Sequence, residues 1–201
     1  MKVAIIGSGA MGSLYGGILA ENGNEVYFID VFKEHVDAIN NKGLCIVEEG
    51  KERYIKDVQA TTDASEVGEV DLAIVFVKAT ITDIAVEQNK AVIGKNTTVL
   101  TLQNGIGNIE KISKVVDLDQ IVAGTSANGA SMIEPGKINH AGNGGTVIGE
   151  INGQITERIK KLKELLDVEK LGPCTVSDNV MGLIWDKLLV NAGINPLTAI
   201  T

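Results

Sequence analysis

The chain has 201 residues, 44% of them hydrophobic and 22% charged, a composition typical of a folded protein that excludes a disordered or collagen-like chain. Its formal net charge of −8 excludes nucleic acid and anionic membrane surfaces as favoured partners, because both attract clustered Lys and Arg. No apolar run has the roughly 18 residues of a membrane span, and the two cysteines lie far apart, so we expect a cytoplasmic protein without disulfides.

Most of the chain alternates apolar runs, which predict strands buried on both faces, with segments of helical spacing. This alternation predicts an α/β fold of the Rossmann type, with a doubly wound and mostly parallel sheet. The predicted strands are residues 3–6, 26–29, 71–78, 97–102 and 121–126, and the predicted helices are residues 13–22, 34–42, 81–93 and 154–168.

Two segments depart from this alternation. Residues 44–47 and 54–58 flank Glu49-Gly50, a pairing that predicts a hairpin attached to the sheet. Residues 133–149 carry turn signals between stretches of high β propensity and predict an antiparallel edge.

The composition changes near Ser177, where strands give way to an apolar helical end. Residues 174–176 predict a last strand, and Asp178 is the predicted N-cap of a final helix. We therefore expect a dinucleotide-binding domain of residues 1–177. Residues 178–201 are then expected to form the first helix of an all-α second domain, whose remainder lies outside this sequence.

Residues 7–12 have the sequence GSGAMG, a G-x-G-x-x-G pattern between the first predicted strand and the first predicted helix. In that context Gly7 permits the tight turn, Gly9 lets the backbone approach a pyrophosphate, and Gly12 lets the helix lie against the strand. The amides of the helix N-terminus then donate to phosphate oxygens. The pattern predicts a dinucleotide site, and the alternative is that these glycines only form the turn.

Asp30 ends the second predicted strand, where a carboxylate accepts hydrogen bonds from ribose hydroxyls and repels a 2′-phosphate, which favours NAD over NADP. Lys33 and His35 lie just beyond it and could pair with a phosphate, although incidental surface positions are the simpler interpretation. Lys78 ends a predicted strand at the edge where open α/β sheets bind ligands, so a functional and a solvated Lys78 are equally acceptable interpretations.

The last predicted helix is almost wholly apolar but carries Lys187, Asn191 and Asn195 at spacing i, i+4 and i+8. This spacing places them in a column on one side of the helix. A buried polar group without a partner costs about 1–3 kcal/mol. The column therefore predicts a shared site, and the alternative is an ordinary solvent-exposed face.

Four segments, in this order along the chain, resemble the ketopantoate reductase (2-dehydropantoate 2-reductase) family. They are GSGAMG at residues 7–12, FVKAT around Lys78, LQNGIG around Asn104, and WDKLLVNAGINPLTAI at residues 185–200. The resemblance covers essentially the whole chain. It implies reduction of 2-dehydropantoate to (R)-pantoate with NADPH, a step toward pantothenate and coenzyme A.

The resemblance also implies a role for each matching residue. Lys187 matches the catalytic lysine, which donates a proton to the 2-oxo oxygen as hydride reaches the carbon. Asn104, Asn191 and Asn195 are implied to bind the substrate. The residues implied to bind the cofactor are Gly7, Ser8, Gly9, Ala10, Met11, Gly12, Asp30, Lys78, Asn104 and Ala130.

Several alternatives stay open. Asp30 stands where NADP-dependent members often have a basic residue nearby, so NADH is an alternative to NADPH. Family members are longer, and we expect this chain to bind a dinucleotide but to turn over poorly. A non-catalytic dinucleotide-binding module and a reductase of another 2-oxo acid are the rival functions. The expected partner is a small 2-oxo acid, no metal site is expected, and a homodimer is left open.

Overall fold

A computed structural model describes the backbone of residues 1–200 and the side chains of residues 1–194. The strands are β1 (Lys2–Ile6), β2 (Glu25–Ile29), β3 (Leu44–Glu48), β4 (Lys51–Ile55), β5 (Val58–Thr61), β6 (Leu72–Val75), β7 (Thr98–Thr101), β8 (Ile121–Ser126), β9 (Gly129–Glu134), β10 (Lys137–Gly142), β11 (Thr146–Glu150) and β12 (Cys174–Val176). The α-helices are α1 (Ala10–Glu21), α2 (Lys33–Lys42), α3 (Thr82–Gln88), α4 (Asn108–Ile112), α5 (Glu157–Leu166) and α6 (Val180–Ile200).

The larger sheet has eight strands in the order β5-β2-β1-β6-β7-β8-β11-β12. From β5 to β8 all neighbours are parallel, in the strand order of a doubly wound Rossmann sheet. The predicted fold class is therefore confirmed. Strand β11 runs antiparallel to β8, as the turn signals predict, although β12 and not β11 is the outermost strand. The earlier part of the predicted segment, in β9 and β10, does not join this sheet, so the prediction is wrong for those residues.

The central strands β1 and β6 of this sheet are almost wholly apolar because helices cover both of its faces. In β1, Val3 and Ile5 belong to one core cluster, while Ala4 and Ile6 belong to the other. Helices α1, α2 and α5 contribute to the first core, and α3, α4 and the start of α6 to the second. Side chains that alternate between two dry cores leave no polar face, which explains the continuous apolar run.

A second sheet has four strands in the order β4-β3-β10-β9. The predicted hairpin is present as the antiparallel pair β3 and β4, but its predicted attachment to the main sheet is wrong. Strand β3 pairs instead in parallel with the distant β10. Val58, predicted as part of the hairpin, begins β5 and pairs with Val26 at the edge of the main sheet.

Helix α1 lies between the two sheets, and two adjacent glycines let both approach it. A Cβ at Gly16 would lie 2.3 Å from Cε1 of Phe28 in the main sheet. A Cβ at Gly17 would lie 2.8 Å from Cδ2 of Leu44 in the second sheet. Both distances are shorter than Cβ contacts normally are, so a larger residue at either position would force neighbouring side chains to move.

Helix α6 begins one residue later than the sequence predicts. The Asn179 Oδ1 accepts a hydrogen bond from the Gly182 N–H at 3.1 Å, so Asn179 rather than Asp178 is the N-cap. The two residue types are equally good caps, so composition alone does not separate them. Because Val180 and Ile184 belong to the second core, α6 starts on the main sheet. The domain boundary at residue 177 stays a prediction.

Two of the predictions from the sequence concern membrane-spanning segments and disulfides. No helix in the described part of the chain is both long and apolar enough to cross a bilayer. Cys45 and Cys174 are both buried and unpaired. Burial raises the pKa of the Cys174 thiol to about 11, so this side chain packs as a small uncharged group.

Candidate active site

The glycine turn joins β1 to α1 beside β6, at the point where the strand order of the main sheet reverses. The Gly7 N–H donates to the Ile29 carbonyl at 2.9 Å, and the first helical bond runs from the Ser13 N–H to the Gly9 carbonyl at 2.8 Å. Within the described residues, the backbone N–H groups of Gly9, Ala10 and Met11 have no hydrogen-bond partner. They are free to bind an anion.

The glycines of the turn differ in what surrounds them. A Cβ at Gly7 would lie 2.7 Å from Val77 Cγ1, and a Cβ at Gly12 would lie 2.1 Å from the Gly7 carbonyl oxygen. A Cβ at Gly9 would have no atom within 4 Å. Packing therefore requires Gly7 and Gly12, whereas Gly9 borders open space. That space beside free N–H groups fits the pyrophosphate of a dinucleotide.

Asp30 connects the end of β2 to the turn. Its Oδ2 accepts hydrogen bonds from the Ser8 N–H at 2.7 Å and from the Ser8 Oγ at 3.2 Å, and its Oδ1 accepts from the Phe32 N–H at 3.0 Å. Ser8 itself is fully buried. The carboxylate thus supports the turn and also borders the cavity beside it.

Neither basic side chain that follows Asp30 is presented to this cavity. Lys33 donates to the carboxylate of Asp37 at 2.9 Å on the exposed side of α2. His35 is 1% exposed and hydrogen-bonded to Ser13 and Gly136. The expectation that His35 is an incidental surface residue is therefore wrong.

A first cavity of about 620 Å³ extends from the glycine turn across the carboxyl ends of β2 and β6. The turn and Asp30 form one end of this cavity, and exposed apolar side chains near α3 form the other end. A cavity of this kind suits a ligand that has both charged and planar parts. Its lining includes Gly7, Gly9, Asp30, Val31, Asp63, Phe76, Val77, Lys78, Ile81 and Ile84.

A second cavity of about 580 Å³ shares Phe76, Val77 and Lys78 with the first. It brings together the turn, the loops after β6, β7 and β8, and helix α6. Lys78 lies in the loop after β6, because this strand ends at Val75 and not at Lys78 as predicted. The polar or flexible residues that line the cavity are Met11, Lys78, Gln103, Asn104, Ser126, Asn128, Lys187 and Asn191.

Lys187 is half-buried and points into this second cavity. Its Nζ donates a hydrogen bond to the Ser126 carbonyl at 2.6 Å, at the end of β8. Burial lowers the pKa of the Lys187 ammonium. Asn191, one helical turn later, lines the same cavity, as the helical spacing predicts. The side chain of Asn195 lies outside the described residues.

Sequence reasoning missed the polar residues around the end of β8, where the Ser126 carbonyl accepts the hydrogen bond of Lys187. The buried Tyr15 hydroxyl contacts Ser126 Oγ at 2.8 Å and Thr146 Oγ1 at 2.6 Å, and the Asn128 Nδ2 donates to it at 3.1 Å. Burial raises the pKa of Tyr15. Asn128 follows β8 as Lys78 follows β6, so its place after a parallel strand could have indicated it.

Some predicted cofactor residues lie apart from the cavities. Ala130 is in β9 of the second sheet and lines neither cavity in the part of the chain that is described. The Ser8 side chain and the backbone of Gly12 are buried inside the turn. Their contacts with a cofactor stay predictions.

Comparison with known proteins identifies the family of this chain. A family model described as "Ketopantoate reductase PanE/ApbA" matches residues 3–153. The chain belongs to the ketopantoate reductase family.

Curated relatives in the ketopantoate reductase family match over the full length of this chain. The 2-dehydropantoate 2-reductase of Halobacterium salinarum is 34% identical over 203 residues, which cover 100% of this chain and 65% of the relative. That of Pyrococcus horikoshii is 38% identical over 200 residues, which cover 100% of this chain and 64% of the relative. This chain therefore spans just under two thirds of the length of these curated relatives.

Solved structures give the same family relationship. The 2-dehydropantoate 2-reductase of Geobacter metallireducens superposes with a TM-score of 0.90 at 28% identity, covering 98% of this chain and 64% of that one. A ternary structure of D-mandelate dehydrogenase with NADH and anilino(oxo)acetate superposes with a TM-score of 0.88 at 36% identity, covering 98% of this chain and 63% of that one.

Proposed function

We propose that this chain carries the dinucleotide-binding part and the proton-donating lysine of a 2-dehydropantoate 2-reductase. The observation that carries the proposal is the position of Lys187. Its ammonium lies in a cavity that contains Met11 of the glycine turn and that adjoins the cavity along the turn. A dinucleotide site and a proton donor are therefore neighbours, as reduction of a carbonyl requires.

The chemistry follows from these two features. A bound nicotinamide supplies hydride to the 2-oxo carbon of the substrate. Lys187 then stabilises the negative charge that develops on the oxo oxygen and donates a proton to it. Burial lowers the Lys187 pKa toward neutral pH, which makes its proton easier to release in the transition state. Asn191 lines the same cavity and can donate hydrogen bonds to the polar ends of the oxo acid.

For the cofactor we propose NADH in place of the NADPH that the family resemblance implies. The carboxylates of Asp30 and Asp63 both line the first cavity, and they oppose a 2′-phosphate. Lys33 is paired with Asp37, and His35 is buried, so neither offers a charge to that phosphate. The D-mandelate dehydrogenase structure, which contains NADH, supports the same choice.

The test measures the rate at which NADH is oxidised with 2-dehydropantoate as the substrate, in the wild type and in Lys187→Ala. We expect Lys187→Ala to lower kcat by about 10²-fold or more, because a general acid is lost. The affinity for NADH should stay near that of the wild type. Lys170→Ala, which removes a lysine that pairs with Glu21 on the surface, is the matched control and should keep full activity.

Two outcomes contradict the proposal. An unchanged kcat in Lys187→Ala would remove the lysine from its assigned role. Failure of the wild type to bind NADH would remove the dinucleotide site that the proposal places beside Lys187.

A second candidate, reduction of an aryl 2-oxo acid, is favoured by one observation. The D-mandelate dehydrogenase structure holds anilino(oxo)acetate and is 36% identical to this chain. Comparing kcat/KM for 2-dehydropantoate and phenylglyoxylate separates the two candidates. We expect 2-dehydropantoate to be the better substrate, since the curated relatives carry that name.

We further propose that α6 begins a second domain and that the protein works in the cytoplasm. Trp185, Leu189, Val190 and Ile194 leave a large apolar part of α6 exposed, and such a surface is more stable when covered. The buried, unpaired Cys45 and Cys174 suit a reducing compartment.

A further inference from the structure

His35, one of the two histidines of the sequence, lies in the first turn of α2 and is 1% exposed. Its two ring nitrogens have different partners. The Gly136 N–H donates to Nδ1 at 2.9 Å, and Nε2 lies 3.2 Å from Ser13 Oγ. Because an N–H group can only donate, Nδ1 carries no proton, and the neutral ring carries its proton on Nε2.

The direction of every bond in this chain of contacts is fixed. The Ser13 Oγ lies 2.7 Å from the Ser8 carbonyl oxygen, which can only accept, so the hydroxyl proton of Ser13 points at Ser8. The Ser13 oxygen then accepts the proton of His35 Nε2. Hydrogen bonds therefore run from His35 through Ser13 to the Ser8 carbonyl, inside the glycine turn.

Because the peptide bond is planar, the contact between Ser13 and the Ser8 carbonyl also fixes the direction of the Gly9 N–H. The Ser8 carbonyl and the Gly9 N–H belong to the same peptide group and point in opposite directions. A carbonyl held inward by Ser13 therefore aims the Gly9 N–H outward, toward the open space beside Gly9. That N–H has no partner within the described residues.

The other end of the contacts reaches the second sheet. Gly136 lies in the turn between β9 and β10, and its carbonyl accepts a hydrogen bond from the Cys45 N–H at 2.8 Å. His35 is therefore bonded to a turn that β3 also holds. The imidazole ring of His35 therefore connects the glycine turn to the second sheet.

We propose that His35 is a positioning residue for dinucleotide binding, which through Ser13 aims the Gly9 N–H at the pyrophosphate and which must be neutral to do so. This inference rests on the dinucleotide site of the proposed function. It predicts that lowering the pH weakens cofactor binding at pH values that leave the cofactor chemically intact.

The contact with the Gly136 N–H is the reason that His35 must be neutral. A protonated ring would place an Nδ1–H against the Gly136 N–H, so one buried donor would lose its acceptor. Burial lowers the His35 pKa, and the nearby Asp30 carboxylate opposes this effect. Of the charged residues next to Gly136, Lys137 donates to Glu52 at 2.6 Å and lies 3.9 Å from Glu134.

The experiment measures the dissociation constant of NAD⁺, a probe stable in acid, by calorimetry at pH 7.5 and pH 5.5. For the wild type we expect weaker binding at pH 5.5 than at pH 7.5, by a factor below about ten, because a His35 pKa lowered from 6.5 leaves part of the protein in the neutral, binding form. His35→Gln keeps an N–H donor for Ser13 but does not titrate, so its two dissociation constants should agree. Ser13→Ala should bind about three- to ten-fold more weakly at pH 7.5.

The control variant is His140→Gln, which changes the other histidine. His140 bonds to Glu48 in the second sheet and does not reach the glycine turn, so its loss should leave the pH dependence of binding intact. A merely structural role of His35 would lower the unfolding temperature of His35→Gln without removing the pH dependence. Unfolding curves of all variants at both pH values check that each is folded.

The outcomes separate this inference from the proposed function. If the wild type binds NAD⁺ equally well at both pH values, or if Ser13→Ala binds like the wild type, the inference is overturned and the dinucleotide site stands. If the wild type binds neither NAD⁺ nor NADH at any pH, the dinucleotide site falls and the inference falls with it.

Discussion

Gly9 and Gly12 lie in the same turn, yet a methyl group has different consequences at the two positions. At Gly12 the new carbon would overlap the Gly7 carbonyl oxygen, and the helix would have to move away from β1. At Gly9 the backbone has φ of −58°, and the methyl would enter open space. Packing therefore requires glycine at position 12, whereas at position 9 the proposed pyrophosphate is the reason to expect one.

The matched pair Gly9→Ala and Gly12→Ala tests this difference. Gly9→Ala should keep its free energy of unfolding within about 0.5 kcal/mol of the wild type but bind NAD⁺ more than about ten-fold more weakly, because the methyl blocks the approach of the pyrophosphate. Gly12→Ala should lose about 1–3 kcal/mol of stability through overpacking. Urea unfolding and calorimetric titration measure both. Normal NAD⁺ binding by Gly9→Ala would remove the pyrophosphate from the turn.

Asp30 is the residue on which the choice between NADH and NADPH depends. Asp30→Asn removes its charge, so we expect the ratio of NADPH to NADH dissociation constants to fall about five-fold or more, since one charge pair in water is worth about 1 kcal/mol at 4 Å. Asp57→Asn, which removes an exposed carboxylate, should leave the ratio unchanged. Equal ratios in the wild type and Asp30→Asn would show that another group selects the cofactor.

Among the elements, helix α6 carries Lys187, so its first turn affects the candidate site. Asn179→Ala should lose about 1 kcal/mol of stability with its cap, whereas Asp178→Ala should change it by less than about 0.5 kcal/mol. Urea unfolding of the two variants measures this contrast. A larger loss in Asp178→Ala would restore the cap that the sequence predicts.

The elements also show which parts of the fold were predictable. The unit from β1 through α1 to β2 was predictable, because an apolar run, glycines and helical spacing all lie within the first 30 residues. The second sheet was not, because it depends on pairing between Ile46 and Ile138, far apart in sequence. Nothing in the local pattern specifies such a partner.

The candidate site also has one part that was predictable from the sequence and one part that was not. Lys187 and Asn191 were predictable as neighbours, because the helical period alone places them on one side. Their contacts with the end of β8 were not, because these depend on how α6 packs against the main sheet. His35 was misinterpreted for a related reason. A lone histidine carries no signal in sequence that tells a buried, bonded ring from an exposed one.

At the scale of the whole molecule, His35 also makes stability depend on pH. Its pKa is lowered in the folded state by burial, so the unfolded chain binds that proton more readily. The contribution is fully present above the ordinary histidine pKa of 6.5 and is lost as the pH falls below it toward the lower folded-state value.

We therefore expect a smaller free energy of unfolding at pH 5.5 than at pH 7.5 in the wild type, and a smaller difference between the two in His35→Gln. Denaturant titrations at both pH values measure it. The same pH difference in both proteins would assign the effect to other groups.

Helix α1 is held on both sides, by Phe28 from one sheet and by Leu44 from the other, at glycines that leave no clearance. Helix α6, on the other side of the second cavity, rests on the main sheet through Val180 and Ile184 in its first turns. We therefore expect the glycine turn to be the more rigid side of that cavity and α6 to be the side that moves.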